Sequence, residues 1–98
     1  MNEPEVLIPI VKFCENHRIE MAFITTLHEN GLVEIIKEGD TLYVHVEKIP
    51  RLEKIVRMHF ELNINLEGIE AISHLLERIE SLQQENTELR NRLRVFEG

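Results

Sequence analysis

Apolar residues recur every three and four positions from Leu66 to Phe96, with no Gly or Pro after Gly68, which predicts one long helix. Counted in sevens, Ile72, Ile79, Asn86 and Leu93 fall in one column, and Leu75, Leu82, Leu89 and Phe96 in a second, three places on. These are the a and d positions of a heptad repeat. A stripe of two residues in seven is too narrow for packing on a globular core and suits a seam against another helix. At about 1.5 Å per residue the helix is about 45 Å long. The chain has no second helix of matching length to form an intrachain hairpin with it. The sequence therefore predicts a homodimer whose interface is Ile72, Leu75, Ile79, Leu82, Asn86, Leu89, Leu93 and Phe96. A parallel register would set Glu85 against the partner's Arg90 and Arg92 against the partner's Glu97, both attractive pairs. A lone Asn at an a position also favours parallel pairing, because the two amides satisfy each other across the seam. An antiparallel pair could instead place Asn86 near an end, where water does the same, so the direction stays open.

The pattern upstream is that of a small mixed head. Met1 to Glu5 is polar and acidic, either frayed or the start of an edge strand through Val6, Leu7 and Ile8. Pro9 suits the first turn of a helix, and Ile10, Phe13, Cys14 and His17 follow at helical spacing, giving a helix over about 9–17. After a three-residue break a second helix runs over about 20–30, with Ile24 and Leu27 inward and Gly31 as its stop. Two short helices so close together suggest helix-turn-helix. Val33 to Ile36 and Thr41 to Val46 are β-prone and joined by Lys37, Glu38, Gly39 and Asp40. The second run alternates Leu42, Val44 and Val46 against Tyr43 and His45, so 33–46 reads as a β-hairpin, a wing. Pro50 opens a third helix over about 50–62, with Leu52, Ile55, Val56, His59, Phe60 and Leu62 on one side. Asn63 to Asn65 breaks it, and Asn65 is placed to cap the long helix. The fold class expected is mainly α with a small β-hairpin. It comprises a winged helix-turn-helix head, residues 1–65, followed by a coiled-coil dimerisation helix, residues 66–98.

Charge narrows the partners. Ninety-eight residues carry a formal net charge of −7, which opposes nucleic acid and anionic membranes as partners and favours a basic one. A head of about 65 residues is marginal alone, so folding and dimerisation should be coupled. The single cysteine, Cys14, has no internal disulfide partner, and the start resembles neither a signal peptide nor a membrane span. The expected compartment is the cytoplasm.

These residues carry a resemblance. Phe13 and Cys14 through Ile19, then Ile24, Leu27, Gly31, Leu32 and Val33, match the hydrophobic skeleton of the winged helix-turn-helix head of the MerR superfamily. More specifically, Glu61-Leu62, Asn65, Gly68-Ile69, Ile79, Leu82-Gln83-Gln84-Glu85-Asn86, Leu89-Arg90 and Arg92-Leu93 resemble the CbpM family of chaperone modulators. The resemblance implies a small homodimer that binds the J-domain of a DnaJ-like co-chaperone of the CbpA type and restrains its stimulation of DnaK. It implies no catalysis. J-domains are expected from their family to present a basic helix to DnaK, which an acidic binder would complement.

The alternative is a MerR-like transcriptional regulator. Such proteins place Arg and Tyr on the second helix and a basic wing against phosphates. Here the corresponding positions hold Ala22, Thr25 and Thr26, and the wing tip offers Lys37 beside Glu38 and Asp40. Residues 1–46 contain Lys12, Arg18 and Lys37 against eight carboxylates. Departures from the modulator pattern are Glu20, where a Ser or Thr cap is usual, and Met21-Ala22-Phe23 in place of a more polar run. With Ile24 and Leu27 turned inward, Phe23 is expected on the outer side of the second helix, where an exposed aromatic can anchor a partner. It could instead pack beneath the N-terminal segment or the long helix. Glu20 and Glu29 flank it and either pair with a basic partner or are simply solvated.

Metal and enzyme chemistry find little footing. His17, His28, His45, His59 and His74 fall on different elements with no i, i+4 pair, and Cys14 with His17 makes only two ligands. No Gly-rich phosphate loop or nucleophile motif is present, and carboxylates such as Glu77 and Glu80 fall on the outer faces of the coiled coil. No cofactor or small-molecule ligand is expected.

Overall fold

A computed structural model describes residues 6–97, so the expectation for Met1 to Glu5 lies outside the described residues. Its elements run β1 (Leu7–Pro9), α1 (Ile10–His17), α2 (Met21–Glu29), β2 (Ile36–Glu38), β3 (Thr41–His45), a 3-10 turn (Val46–Lys48), α3 (Ile49–Phe60) and α4 (Leu66–Glu97). The chain divides into two compact units at the first turn of α4, residues 1–66 and 67–98.

In the first unit the sheet has three strands, the hairpin and the edge strand that is one alternative for Val6 to Ile8, in the antiparallel order β1-β3-β2. The added strand pairs Leu7 with His45, Ile8 with Val44 and Pro9 with Tyr43, and the Val46 amide extends the ladder to the Val6 carbonyl at 2.9 Å. Pro9 sits in extended conformation, φ −60° and ψ 132°, as the residue before α1 and not as its first turn. A proline can end β1 because the strand lies at the sheet edge, where a missing N–H is tolerated. The wing is also shifted. Glu38 pairs with Thr41, leaving Gly39 (φ +61°) and Asp40 as a two-residue turn with glycine first. In that register Val33 would face Val46, but Val46 has already turned into the 3-10 segment, so Val33 to Ile35 stay outside the strand.

The helices end as their sequences dictate. At the end of α2 the Leu32 amide donates to the Leu27 carbonyl (2.9 Å) and Gly31 to His28 (3.0 Å), with Gly31 at φ +74°, a Schellman closure. The same pattern closes α1 through Ile19 to Cys14 (3.0 Å) and Arg18 to Glu15 (3.4 Å). There the left-handed position is held by Arg18, at φ +55°. A Cβ on Gly31 would meet nothing within 4 Å, so Gly31→Ala should cost only the backbone penalty of the left-handed region, about 1 to 2 kcal/mol. Urea denaturation measures it, and an unchanged midpoint would refute it.

Helix periodicity buries Ile10, Phe13 and Cys14 of α1, Ile24 and Leu27 of α2, and Leu52 and Ile55 of α3, with Leu32 and Val44 completing the core of this unit. Pro50 lies in the first turn of α3, where its lost N–H costs nothing. Two α3-side expectations are corrected. Phe60, the last residue of α3, is 52% exposed, and Leu62, past the helix end where the chain reverses through Asn63 at φ +55°, is 63% exposed.

The second unit is α4, unbroken from Leu66 to Glu97, with Glu67 in the first turn and Arg94 in the last, both favourable to the helix dipole.

Candidate functional site

In a helix-turn-helix the second helix is the surface that meets a target, and α2 shows how little it offers a phosphate. Residues Met21 to Glu29 include neither Lys nor Arg. The two threonines turn their hydroxyls back onto the helix: Thr25 Oγ1 donates to the Met21 carbonyl (3.2 Å) and Thr26 Oγ1 to the Ala22 carbonyl (2.9 Å). Asn30 Nδ2 donates to the Thr26 carbonyl at 2.8 Å, and His28 Nδ1 donates to Val33 O at 3.1 Å. These groups bond back onto their own helix and its closing turn.

The three partner-facing residues expected from sequence stand in different settings. Glu20 is the exposed residue before α2, in extended conformation, and Glu29 is the exposed last residue of the helix. They stand at the two ends of α2. Phe23 is half-buried, not free on an outer face. Its ring stacks on His59 at 4.9 Å between centroids and meets Phe60 at 5.0 Å, while His59 and Phe60 meet edge-on at 4.8 Å. In these ring contacts its packing partner is α3. His59 is held in turn by Nδ1 donating to the Ile64 carbonyl at 3.0 Å. The cluster thus ties α2, α3 and the connector after α3 together, with Phe60 as its most exposed ring.

Phe60 also belongs to a groove of about 370 Å³ lined by His17, Arg18, Ile19, Glu53, Val56, Arg57, Phe60 and Glu61. One wall is the helix-turn-helix turn, where the left-handed Arg18 places Ile19 next in the chain. The other is the second half of α3. On it Val56 and Phe60 are four residues apart and form an apolar ridge, and Glu53, Arg57 and Glu61 form a charged ridge beside it at the same spacing. Sequence reading missed this groove because periodicity assigns Val56 and Phe60 to the core. The usable signal was the alternation of sign at Glu53, Arg57 and Glu61.

Elsewhere the chemistry is quiet. Burial pushes the Cys14 thiol above its ordinary pKa, and its Sγ donates to Met21 Sδ at 3.7 Å, so it packs as a small hydrophobe. His17 stacks on Phe13, 4.2 Å between centroids. Among the described residues no group of three or more His, Cys, Asp or Glu could hold a metal, and no helix is long and apolar enough to cross a membrane.

On α4, every residue from His74 to Glu97 is exposed in the single chain. The heptad residues Leu75, Ile79, Leu82, Leu89, Leu93 and Phe96 are among them, with Asn86 in the same column and Ile72 half-buried.

Comparison with known proteins agrees with this architecture. The family described as MerR HTH family regulatory protein matches residues 8–91. The chain is also similar to the chaperone modulatory protein CbpM of Pseudomonas entomophila (strain L48). The two are 29% identical over 84 residues, covering 85% of this chain and 83% of that one.

Proposed function

This chain belongs to the MerR helix-turn-helix family of regulatory proteins, and we propose that it is a chaperone modulator. In this reading a homodimer joined along α4 binds the J-domain of a DnaJ- or CbpA-like co-chaperone and restrains that co-chaperone's stimulation of DnaK. The observation that carries the reading is α2. A helix-turn-helix whose second helix carries no Lys or Arg, on a chain of net charge −7, is poorly built for phosphate and well built for a basic protein. Similarity to a protein named for chaperone modulation supports the same choice. The proposed role is regulatory and requires no catalytic group.

The test is a titration of the full-length protein against a J-domain and, in parallel, against duplex DNA from the same genome. The J-domain should bind, and the protein should lower J-domain-stimulated ATP hydrolysis by DnaK. DNA should bind no tighter than about 10 μM at physiological salt, in the range of weak non-specific contact. A tight, sequence-selective DNA complex would replace this reading with transcriptional regulation.

A further inference from the structure

We propose that Asn30 and Gly31 form a self-modification site that the closed end of α2 holds in check. The reaction is cyclisation of the Asn30 side chain by the Gly31 amide nitrogen. That nitrogen attacks the carboxamide carbon of Asn30, the carboxamide C–N bond breaks, and ammonia leaves with the proton that the attacking nitrogen gives up. The succinimide that remains adds water at either of its carbonyls and opens to aspartate or to isoaspartate. The balance needs only water, and nothing is oxidised or reduced.

The sequence selects this pair. Asn30 alone among the asparagines of the chain is followed by glycine; the others precede Glu, His, Ile, Leu, Thr or Arg. With no Cβ, glycine leaves its amide nitrogen unobstructed and lets the backbone bend into the ring that has to form. Both residues are exposed, so water reaches them.

The folded closure opposes the reaction at both reacting groups. The proton that the Gly31 nitrogen has to lose is the one it donates to the His28 carbonyl at 3.0 Å. The Asn30 carboxamide is turned back along the helix: Nδ2 donates to the Thr26 carbonyl at 2.8 Å, the same oxygen that accepts the Asn30 backbone N–H at 3.1 Å. Beyond the pair, Leu32 is buried in the core and its amide is tied to the Leu27 carbonyl at 2.9 Å, which keeps the turn shut. Cyclisation therefore requires the last turn of α2 to open and release these bonds. Such local openings occur well below the free energy of global unfolding, and the opening sets the rate.

Conversion also reinforces itself. Either product replaces a donor amide by a carboxylate, which has no N–H for the Thr26 carbonyl and adds negative charge at the negative end of α2, beside Glu29. Isoaspartate further routes the main chain through the side-chain carbon. That lengthens the backbone between α2 and Leu32 and carries Leu32 out of register with the core. A molecule that has opened and converted closes less well than before, so the head keeps a covalent record of its own opening.

The experiment incubates the full-length protein at mildly alkaline pH with and without denaturing urea. Conversion is followed by mass spectrometry of tryptic peptide 19–37, with isoaspartate labelled by an isoaspartyl methyltransferase. In urea Asn30 should convert ahead of every other asparagine, and in the native protein at least about tenfold more slowly, as an opening equilibrium demands. Leu32→Ala, which loosens the closure without touching the reacting pair, should raise the native rate toward the urea rate and leave the urea rate unchanged. Asn30→Asp, which copies one product, should unfold at a lower urea concentration than the parent. Equal rates in the native and urea-unfolded parent overturn the proposal, as does conversion no faster at Asn30 than at the other asparagines. Both comparisons use the unmodified chain, so they decide the matter even if Leu32→Ala does not fold. A parent-like urea midpoint for Asn30→Asp overturns the self-reinforcing step.

Discussion

Replacing Leu82 and Leu89 together by Glu should convert a dimer into monomers and unravel much of α4. Leu82 is 54% and Leu89 53% exposed in the single chain, although both are large and apolar. From His74 to Glu97 the helix buries no residue of its own, and helices are marginal in water without packing along one face. In the proposed homodimer a seam against a second copy would supply that packing. Two Glu in each strand would place four carboxylates within it, and unpaired buried charge costs several kcal/mol per ion. Sedimentation equilibrium should report the protomer mass, and helical circular dichroism should fall. An unchanged dimer would mean that the seam lies elsewhere. Asn86 offers a finer check in the same assay: Asn86→Leu should tighten association while loosening control of strand number, because a polar a position specifies the pairing at a cost in stability.

How far the sequence reveals this molecule depends on what each residue's signal encodes. Helix periodicity is a local property, and Ile10, Phe13, Ile24, Leu27, Leu52 and Ile55 face the core as their spacing predicts. The stop at Gly31 is likewise local chemistry. Strand pairing is not. Leu7 to Pro9 is legible only as one of two alternatives for the N-terminal segment, and it is a strand because β3 offers an edge beside it. The shift of the wing depends on the choice of Gly39 and Asp40 as the turn, which leaves Val33 without a partner although its β-propensity is high. The least legible part is the end of α3. Leu62, inward by extrapolated periodicity, lies past the helix end and emerges at the surface, as does Phe60 on the last turn. Phe23, expected outward, finds shelter against His59 and Phe60.

That exchange changes what the expected contact surface means. Glu20 and Glu29 stand at opposite ends of α2, and the ring between them packs on α3. The exposed aromatic of this region is Phe60, one helix away, in a groove also lined by Arg18, Glu53, Arg57 and Glu61. The family fold supplies a helix presented for recognition, and this sequence leaves that helix without cations while its neighbour gains a charged groove.

Phe23 itself is then expected to act through stability. Its ring fills the space between α2 and α3, touching His59 and Phe60 at 4.9 and 5.0 Å. Phe23→Ala would remove those contacts and leave a void beside His59. A fully buried Phe→Ala change costs about 3 to 5 kcal/mol, and because Phe23 is only half-buried the expected loss is about 2 to 3 kcal/mol. For a small head of limited stability that is a large share of the total. Phe23→Leu should recover about half of it by refilling volume without the ring. Glu20→Gln and Glu29→Gln, at exposed positions, should stay within about 0.5 kcal/mol of the parent. Urea denaturation gives the stabilities, and partner binding is then compared under conditions where every variant is folded. A scaffold residue predicts that Phe23→Leu binds the J-domain as the parent does. If Phe23→Ala instead keeps its full stability and dissociates faster from the J-domain, the ring touches the partner directly and α2 belongs to the contact surface.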